Sequence, residues 1–202
     1  MISGLKTRIE ARVERGLRQA RWALLALACA AAPAWAFDLP ELMGLLAKQK
    51  QGEANFTEQR YVRGFDGPLA ASGTLSFTAP DQLVRRTLSP RPETMAVDGN
   101  NLTLSRSGRS RSMTLDSMPE LQGMVEAMRA TLAGNTQVLQ RYFTSTVGGS
   151  ASDWTLDLAP IDARLASQVA TLRLSGKAGE VLGVEMEFRG GDRSVMTISP
   201  KR

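Results

Sequence analysis

Hydrophobic and polar positions alternate between residues 71 and 90 with the period of two that is typical of β-strands. The apolar side of the first run consists of Ala71, Gly73, Leu75 and Phe77. Ser and Thr occupy the positions between them, which indicates a sheet with one apolar and one polar face. Pro80 and Asp81 interrupt the run, because Pro cannot donate to a strand ladder and Asp favours turns. The pattern resumes at 82–88, so the stretch predicts a hairpin.

The same alternation recurs along most of the chain and predicts a mainly β protein. Strands are predicted at 55–62, 71–78, 82–88, 93–97, 101–105, 112–115, 154–159, 169–175, 181–188 and 194–199. Asp98-Gly99-Asn100 is a strong hairpin signal because Gly accepts a positive φ, whereas Gly148-Gly149-Ser150 is predicted to be a loop. Consecutive hairpins imply an antiparallel sheet, and a sheet of this length curls under its own twist. We therefore expect an incomplete barrel whose apolar face is covered by helices or by a ligand.

Helical periodicity is confined to a few segments. Asp38 is a suitable N-cap for a first helix with a leucine stripe, which Gly52 is expected to end. A second helix is predicted from Pro119 to a C-cap at Gly134. Its apolar side contains Met118, Leu121, Met124, Val125, Met128 and Leu132. This side has two interpretations: ordinary core packing, or an adaptable cover for variable apolar ligands, since Met is flexible and polarizable.

Two shorter helices complete the predicted set. Asn135 is a suitable N-cap for a short helix that follows Gly134 directly. Residues 162–168 are expected to form one helical turn between two strands. The helices are therefore few and short in comparison with the sheet, and no linker or repeat divides the chain after residue 36.

The first 36 residues are predicted to be a cleaved secretory signal. Residues 1–21 are basic and 22–32 are apolar, and this apolar run is much shorter than the roughly 20 residues that span a membrane. Ala34-Trp35-Ala36 places small residues at the positions that a signal peptidase reads, so cleavage is expected before Phe37. Two alternatives stay open, an uncleaved N-terminal anchor and a lipoprotein signal that uses Cys29.

The predicted signal accounts for most of the charge. It holds six basic and two acidic residues, and so carries +4 of the formal net charge of +5. The remaining chain, residues 37–202, is close to neutral, which gives no argument for binding nucleic acid. It contains no Cys, because Cys29 is the only one in the sequence. Its 166 residues suit one domain with a core of its own.

Residues that carry common enzyme chemistry are absent from the sequence. There is no His, which excludes Ser-His-Asp and Cys-His nucleophile systems and almost all zinc sites. The nucleophile elbow, the P-loop and the dinucleotide-binding glycine pattern are absent too. Gly-Gly-Asp-Arg at 190–193 is predicted to be a hairpin turn rather than a phosphate loop. We therefore expect a non-enzymatic protein without catalytic residues, metal or cofactor, and a hydrolase stays an alternative.

Several segments resemble the LolA-type periplasmic outer-membrane lipoprotein carriers, in particular a divergent branch of that family. The matching segments are Phe56-Thr57-Glu58-Gln59-Arg60, Ser72-Gly73-Thr74-Leu75-Ser76-Phe77 followed by Pro80, 83–87 with Pro90, the Asp98-Gly99 hairpin and the strand at 154–160. The resemblance implies a single-domain, open antiparallel half-barrel of about eleven strands, covered by short α-helices. It also implies a monomeric periplasmic carrier that shields acyl chains of lipoproteins, or of a related lipid. Such a carrier receives its cargo from an inner-membrane release complex and delivers it to an outer-membrane acceptor.

The carrier interpretation assigns lipid contacts to apolar residues of the cavity and its covering helix. These residues are Leu75, Phe77, Met95, Met118, Leu121, Met124, Val125, Met128, Leu132, Trp154 and Leu156. The alternative is a periplasmic interaction or sensor module of the same fold, which binds lipidated or misfolded partners. One position departs from the family: Ala79 stands where the carriers have an Arg that hydrogen-bonds the covering helices. The chain is therefore expected to rest more open, unless Arg85, Arg86 or another residue replaces that contact.

Overall fold

Eleven antiparallel strands form one sheet in the computed structural model, which describes residues 37–201. The strands are β1 Gln51–Tyr61, β2 Leu69–Thr78, β3 Gln82–Ser89, β4 Glu93–Asp98, β5 Asn101–Arg106, β6 Arg109–Thr114, β7 Phe143–Ser150, β8 Asp153–Pro160, β9 Val169–Lys177, β10 Glu180–Phe188 and β11 Arg193–Pro200. Each strand pairs with its neighbours in sequence, except that β1 pairs with β11, so β6 and β7 are the two edges. The sheet does not close, which confirms the predicted open half-barrel. The predicted signal, with Cys29, lies outside the described residues.

Short helices lie between the strands, and polar caps begin three of them. The helices are α1 Leu39–Leu46, a 3-10 helix Leu115–Ser117, α2 Pro119–Leu132, α3 Thr136–Tyr142 and α4 Ala163–Gln168. Asp38 Oδ1 accepts a hydrogen bond from the backbone N–H of Glu41 at 3.0 Å, as the N-cap preference of Asp predicts. Asn135 and Asp162 cap α3 and α4 in the same way. The predicted starts of these helices are therefore confirmed.

Two predictions around glycines are wrong. The first helix ends at Leu46, and Gly52 lies inside β1 opposite Phe77 of β2. Gly148-Gly149-Ser150 is the end of β7, a strand that the sequence pattern did not indicate. A Cβ atom on Gly149 would lie 2.1 Å from the carbonyl oxygen of Asp153, so the glycine is what allows β7 to approach β8 here. Pairing with a neighbouring strand outweighs the local preference of glycine for loops.

Register places the apolar side of each strand on one inner face of the sheet, the face towards the helices. In β2, Gly73 and Phe77 are buried, as the alternation predicts. Gly73 is opposite Phe56 of β1, and a Cβ there would lie 2.0 Å from the carbonyl oxygen of Arg86 and 2.9 Å from the Phe56 ring. The glycine therefore makes room for the phenylalanine in the middle of the sheet.

The buried apolar side chains form two separate clusters. The large cluster consists of Leu42, Met43, Leu46, Ala127, Ala130, Leu139, Phe143, Trp154, Leu156, Leu158, Leu165, Val169, Leu172 and Leu174. The small cluster consists of Val97, Leu102, Leu115 and Val125. The large cluster joins the helices to β7–β9, whereas the small one lies on β4 and β5 at the other end of the sheet. The inner face is therefore packed at both ends, and α2 contributes residues to both clusters.

The outer face carries polar side chains and ion pairs. Arg173 donates to Asp157 across β8 and β9, and Arg193 donates to Glu185 across β10 and β11 at 2.9 Å. Each hydrogen bond to a carboxylate raises the pKa of its guanidinium above the usual value. These cations have acidic partners, which distinguishes them from the arginines of β5 and β6 described below.

Candidate functional site

An apolar strip separates the two clusters on the inner face of β1, β2 and β11. We call it the central strip, and it consists of Phe56, Leu75, Phe77, Met196 and Ile198. None of the five belongs to either buried cluster or packs against one. Leu75, Met196 and Ile198 are only half-buried, although they lie in the middle of the sheet. Phe56 and Phe77 are buried, so the strip is exposed only at the other three residues, and it lies between two well-packed ends.

Helix α2 connects the two clusters. Ala127 and Ala130 are part of the large cluster, while Val125 is part of the small one. Met128 and Leu132 continue the side of the helix that bears Val125, since residues three, four and seven positions apart share a helix face. Both are half-buried and belong to neither cluster. The helix thus has apolar side chains beyond those that its buried contacts use.

The eleven residues predicted to contact lipid fall into three groups. Leu75 and Phe77 lie in the central strip, and Met128 and Leu132 are the unclustered residues of α2. The small cluster holds or contacts four: Met95, Met118, Leu121 and Val125. The large cluster holds or contacts three: Met124, Trp154 and Leu156. Their role in lipid binding stays a prediction, and the first group is the one whose packing is least complete.

Trp154 is tightly packed in the large cluster. Its side chain is fully buried, and its indole N–H donates to the carbonyl oxygen of Ala178 at 3.0 Å. Gly176 is opposite it, and a Cβ there would lie 2.3 Å from the indole ring. A ring so held is a fixed part of the core in this conformation, in contrast to the half-buried residues of the central strip.

Two clefts of this conformation have no lining residue from the central strip. One, of about 360 Å³, is lined by Thr57, Ala70, Thr197 and neighbouring residues of β1, β2 and β11. Another, of about 370 Å³, lies between α2 and the turns near Pro80 and Gly99. None of the eleven predicted residues lines either cleft. Neither of these clefts therefore gives access to the residues predicted to contact lipid.

A charged pair lies beside the central strip. Glu58 of β1 is on the inner face, where its carboxylate accepts hydrogen bonds from Arg85 Nη2 at 2.5 Å and Ser194 Oγ at 2.6 Å. The Glu58 side chain is only 13% exposed, and the Arg85 guanidinium lies 4.8 Å from the centre of the Phe56 ring. Buried charges need such partners, so this pair forms a polar boundary to the apolar strip.

Arg129 of α2 fastens the helix to two hairpin turns. Its Nη2 donates to the carbonyl oxygens of Asp81, in the β2–β3 turn, and Gly99, in the β4–β5 turn, at 2.6 Å each. Its Nη1 pairs with Glu126 at 3.1 Å, and the residue is only 8% exposed. The contact thus joins the covering helix to the sheet at one end of the barrel.

The structure shows which residue joins the helices to the hairpin that contains Ala79. Arg85 binds Glu58 instead of a helix, and the neighbouring Arg86 is on the outer face, so neither replaces the family arginine. The backbone N–H of Ala79 donates to Lys50 before β1. The helix-to-sheet contact at this hairpin is made by Arg129, with the donor on the helix and the acceptors on the sheet.

Sequence reasoning missed several residues of the site. Met196 and Ile198 were placed in a strand but not in the cavity, although their spacing by two was a usable signal. The partners of Glu58 could not be found, because Arg85 is 27 positions away and Ser194 is 136 positions away. The contacts of Arg129 with the two turns could not be predicted, because an Arg in the last turn of a helix is common.

Among residues 37–201, no helix is long and apolar enough to cross a membrane. Within the same range, no three His, Cys, Asp or Glu side chains come together in a group that could hold a metal ion. The 190–193 segment is a hairpin turn, as predicted, in which Asp192 accepts a hydrogen bond from the N–H of Arg63.

The profile of the family described as "Outer membrane lipoprotein carrier protein LolA-like" matches residues 30–198. Because the match spans most of the sequence, the chain belongs to this family, which confirms the predicted relationship to a divergent LolA-like branch. No curated protein matches the sequence.

Solved structures of similar fold were found at low sequence identity. A LolA superfamily protein from Nitrosomonas europaea is 12% identical, with a TM-score of 0.44, over 78% of this chain and 90% of that chain. The lipoprotein LppX of Mycobacterium tuberculosis is 11% identical, with a TM-score of 0.41, over 79% and 94%. The MucA/MucB complex of Pseudomonas aeruginosa contains a chain that is 12% identical, with a TM-score of 0.42, over 80% and 55%.

Proposed function

We propose that this protein is a non-catalytic periplasmic carrier that binds acyl chains of lipoproteins, or of a related lipid, between α2 and the central strip. The observation that carries the proposal is the division of the apolar core into two packed clusters with a part-exposed strip between them. A core that served only for stability would gain by packing this strip as densely as its ends. Family membership supports the same function.

Shielding of acyl chains requires an apolar surface of this kind. Each CH₂ group exposed to water costs about 0.8 kcal/mol, so a lipidated protein does not cross an aqueous compartment unaided. Met128 of α2 has a flexible apolar side chain that can repack around acyl chains of different shape. The strip and the helix side together would replace water around the chain.

Binding requires α2 to move as a lid. The helices pack on one another and on β7, β8 and β9, and the two clefts described above have no lining residue from the central strip. Met128 and Leu132 lie outside both buried clusters, but Ala127 and Ala130 of the same helical turns belong to the large cluster, so opening of the lid also separates these two alanines from it. We propose that Arg129 holds this lid closed in the empty carrier. Cargo then enters from an inner-membrane release complex and leaves to an outer-membrane acceptor.

A binding experiment with a charged lid variant tests the proposal. A synthetic acylated peptide is titrated into the protein and followed by calorimetry, with the same peptide lacking its acyl chain as reference. Met128→Glu is expected to weaken binding at least tenfold, because it places an unpaired charge at the apolar surface that meets the chain. Met128→Leu keeps the surface apolar and is expected to bind as the wild type does.

A second variant distinguishes lid from core. Met124 lies on the same helix but packs against the large cluster, so Met124→Glu is expected to lower stability as well as binding. Unchanged acyl binding in a folded Met128→Glu protein would contradict the carrier proposal. Equal binding of the acylated and unacylated peptides would instead favour the alternative, a module of this fold that recognises protein partners.

A further inference from the structure

The hairpin of β5 and β6 has an unusual distribution of charge. Its three arginines are Arg106, Arg109 and Arg111, and register places all of them on the inner face with Leu102, Leu104 and Met113. The outer face of the same hairpin consists of Asn101, Thr103, Ser105, Ser110, Ser112 and Thr114. Charged side chains usually occupy the outer face of a one-sided sheet. Here the order is reversed, with neutral polar residues outside and cations inside.

We call these three arginines the basic rim, and none of them forms an ion pair with a side chain that the structure describes. Arg106 and Arg109 are directly opposite one another, and Arg111 follows two positions along the same face. Among the side chains that the structure describes, those of residues 37–118 and 121–201, no carboxylate lies within 4.0 Å of any of them, whereas Arg173 and Arg193 on the outer face are paired. Like charges directly opposite each other destabilise a strand pair. This repulsion lowers the stability of the β5–β6 hairpin, and binding of an anionic ligand would offset the loss.

Protection of an edge strand explains the rim only in part. β6 is an edge of the sheet, and charged residues on edges discourage pairing with other chains. Cations on either face of the edge strand would give this protection. It therefore does not explain why the arginines share the inner face with apolar residues. Arg111 is opposite Leu104, which is opposite Met95, which is opposite Arg85. Two apolar residues therefore lie between cations whose Cα atoms are about 14 Å apart, at about 4.8 Å per strand.

The inner face of β5 runs from apolar to charged along the strand. Leu102 is fully buried in the small cluster, Leu104 packs against that cluster, and Arg106 is exposed. An elongated molecule along this face would place its apolar part against the cluster and its head among the arginines. A carboxylate or phosphate suits such a place, because guanidinium groups bind both in a planar, bidentate way.

We infer that the basic rim is the headgroup site for an amphiphile with an anionic head, whose acyl chain lies over Leu104 against the small cluster, towards α2. The inference rests on the proposed acyl-binding function and adds the charge of the ligand to it. Glu93 lies opposite Arg106, and the three cations of the rim outnumber this cross-strand carboxylate. An anionic membrane surface and an acidic peptide are rival occupants, which the experiment separates.

Two amphiphiles with the same chain test the headgroup preference. Dodecyl phosphate and dodecyl maltoside are titrated separately by calorimetry, each below its critical micelle concentration and at low ionic strength. The wild type is expected to bind dodecyl phosphate about three- to tenfold more tightly, since exposed charge contacts contribute little individually. The preference is expected to shrink as salt is added. Inorganic phosphate alone is expected to give no measurable heat.

Paired variants locate the preference. Arg106→Gln/Arg111→Gln is expected to abolish the preference and to leave the affinity for dodecyl maltoside unchanged. The control, Arg86→Gln/Arg91→Gln, removes the same charge from exposed positions outside the rim, and it is expected to keep the preference. Arg111→Glu should make the protein prefer the uncharged head.

Several outcomes would overturn the inference. Equal affinities of the wild type for the two amphiphiles would contradict the headgroup site but not the carrier function. The same would follow if the control variant lost the preference as the rim variant does. Failure of both amphiphiles to bind would contradict both the headgroup site and the carrier function. Binding to phosphatidylglycerol vesicles, or to an acidic peptide, without binding of monomeric dodecyl phosphate would assign the rim to that surface or peptide instead.

Discussion

Replacement of Arg129 is the sharpest test of how the lid is held. Arg129→Met keeps much of the length and apolar character of the side chain, but removes the donors to Asp81 and Gly99. A hydrogen bond with a charged donor contributes about 1.5–3 kcal/mol. Both acceptor residues are half-buried, so water replaces part of each bond, and we take the lower value. Loss of both then costs the closed state about 3 kcal/mol, or about 100-fold in the population of open lid.

Hydrogen exchange measures this change where it occurs. Amides of α2 are expected to exchange up to about 100-fold faster in Arg129→Met, while amides of β8 and β9, in the large cluster, keep their wild-type rates. Affinity for an acylated peptide is expected to rise, because less free energy is needed to open the lid. Arg141→Met, at an exposed position on the neighbouring helix, is the control and should change neither quantity.

Two results would refute this reasoning. Unchanged exchange in α2 would show that the two hydrogen bonds do not hold the helix. Equal acceleration in α2, β8 and β9 would show that Arg129 supports the whole fold rather than the lid. Overall stability by itself is a poor criterion, since a buried guanidinium also carries a desolvation cost that Met does not have.

Three further predictions follow from particular contacts. Gly73→Ala is expected to lower the free energy of unfolding by about 2–3 kcal/mol, because its Cβ would collide with a backbone carbonyl. Gly52→Ala has open space around the new Cβ and should change this free energy little. Urea denaturation of the two variants measures the difference. Glu58→Gln leaves Arg85 without its ionic partner and is expected to cost about 1–2 kcal/mol, and Arg85→Met in that background should restore part of it. N-terminal sequencing of the protein from the periplasm is expected to begin at Phe37, and a product acylated at Cys29 or retaining residues 1–36 would contradict cleavage.

The sheet could be predicted from the sequence because its signal is local. Alternation with period two identifies a strand and its buried side without knowledge of the partner strand, as β2 shows with Gly73 and Phe77. The caps of α3 and α4 are also local, since Asn135 and Asp162 bind backbone N–H groups within three residues. These features depend on neighbours along the chain, so composition and spacing are sufficient to find them.

Strand β7 could not be predicted in this way. Its glycines favour a loop when considered alone, and they form a strand because β8 supplies the hydrogen-bonding partners of that edge. Gly52 is a similar case, since pairing of β1 with β2 keeps it in the sheet. In both places the energy of a non-local ladder outweighs the local propensity of glycine.

The sequence by itself determined that an apolar face exists and which residues belong to it, because side-chain direction in a strand follows from position alone. Only the tertiary structure decided how that face is divided into two clusters and a central strip, since the division depends on where α2 lies. It also decided which charges meet. Glu58 and Arg85 pair, and Arg129 reaches two turns, through contacts between residues 27 to 48 positions apart. Such contacts are set by register and helix docking, which no local pattern encodes.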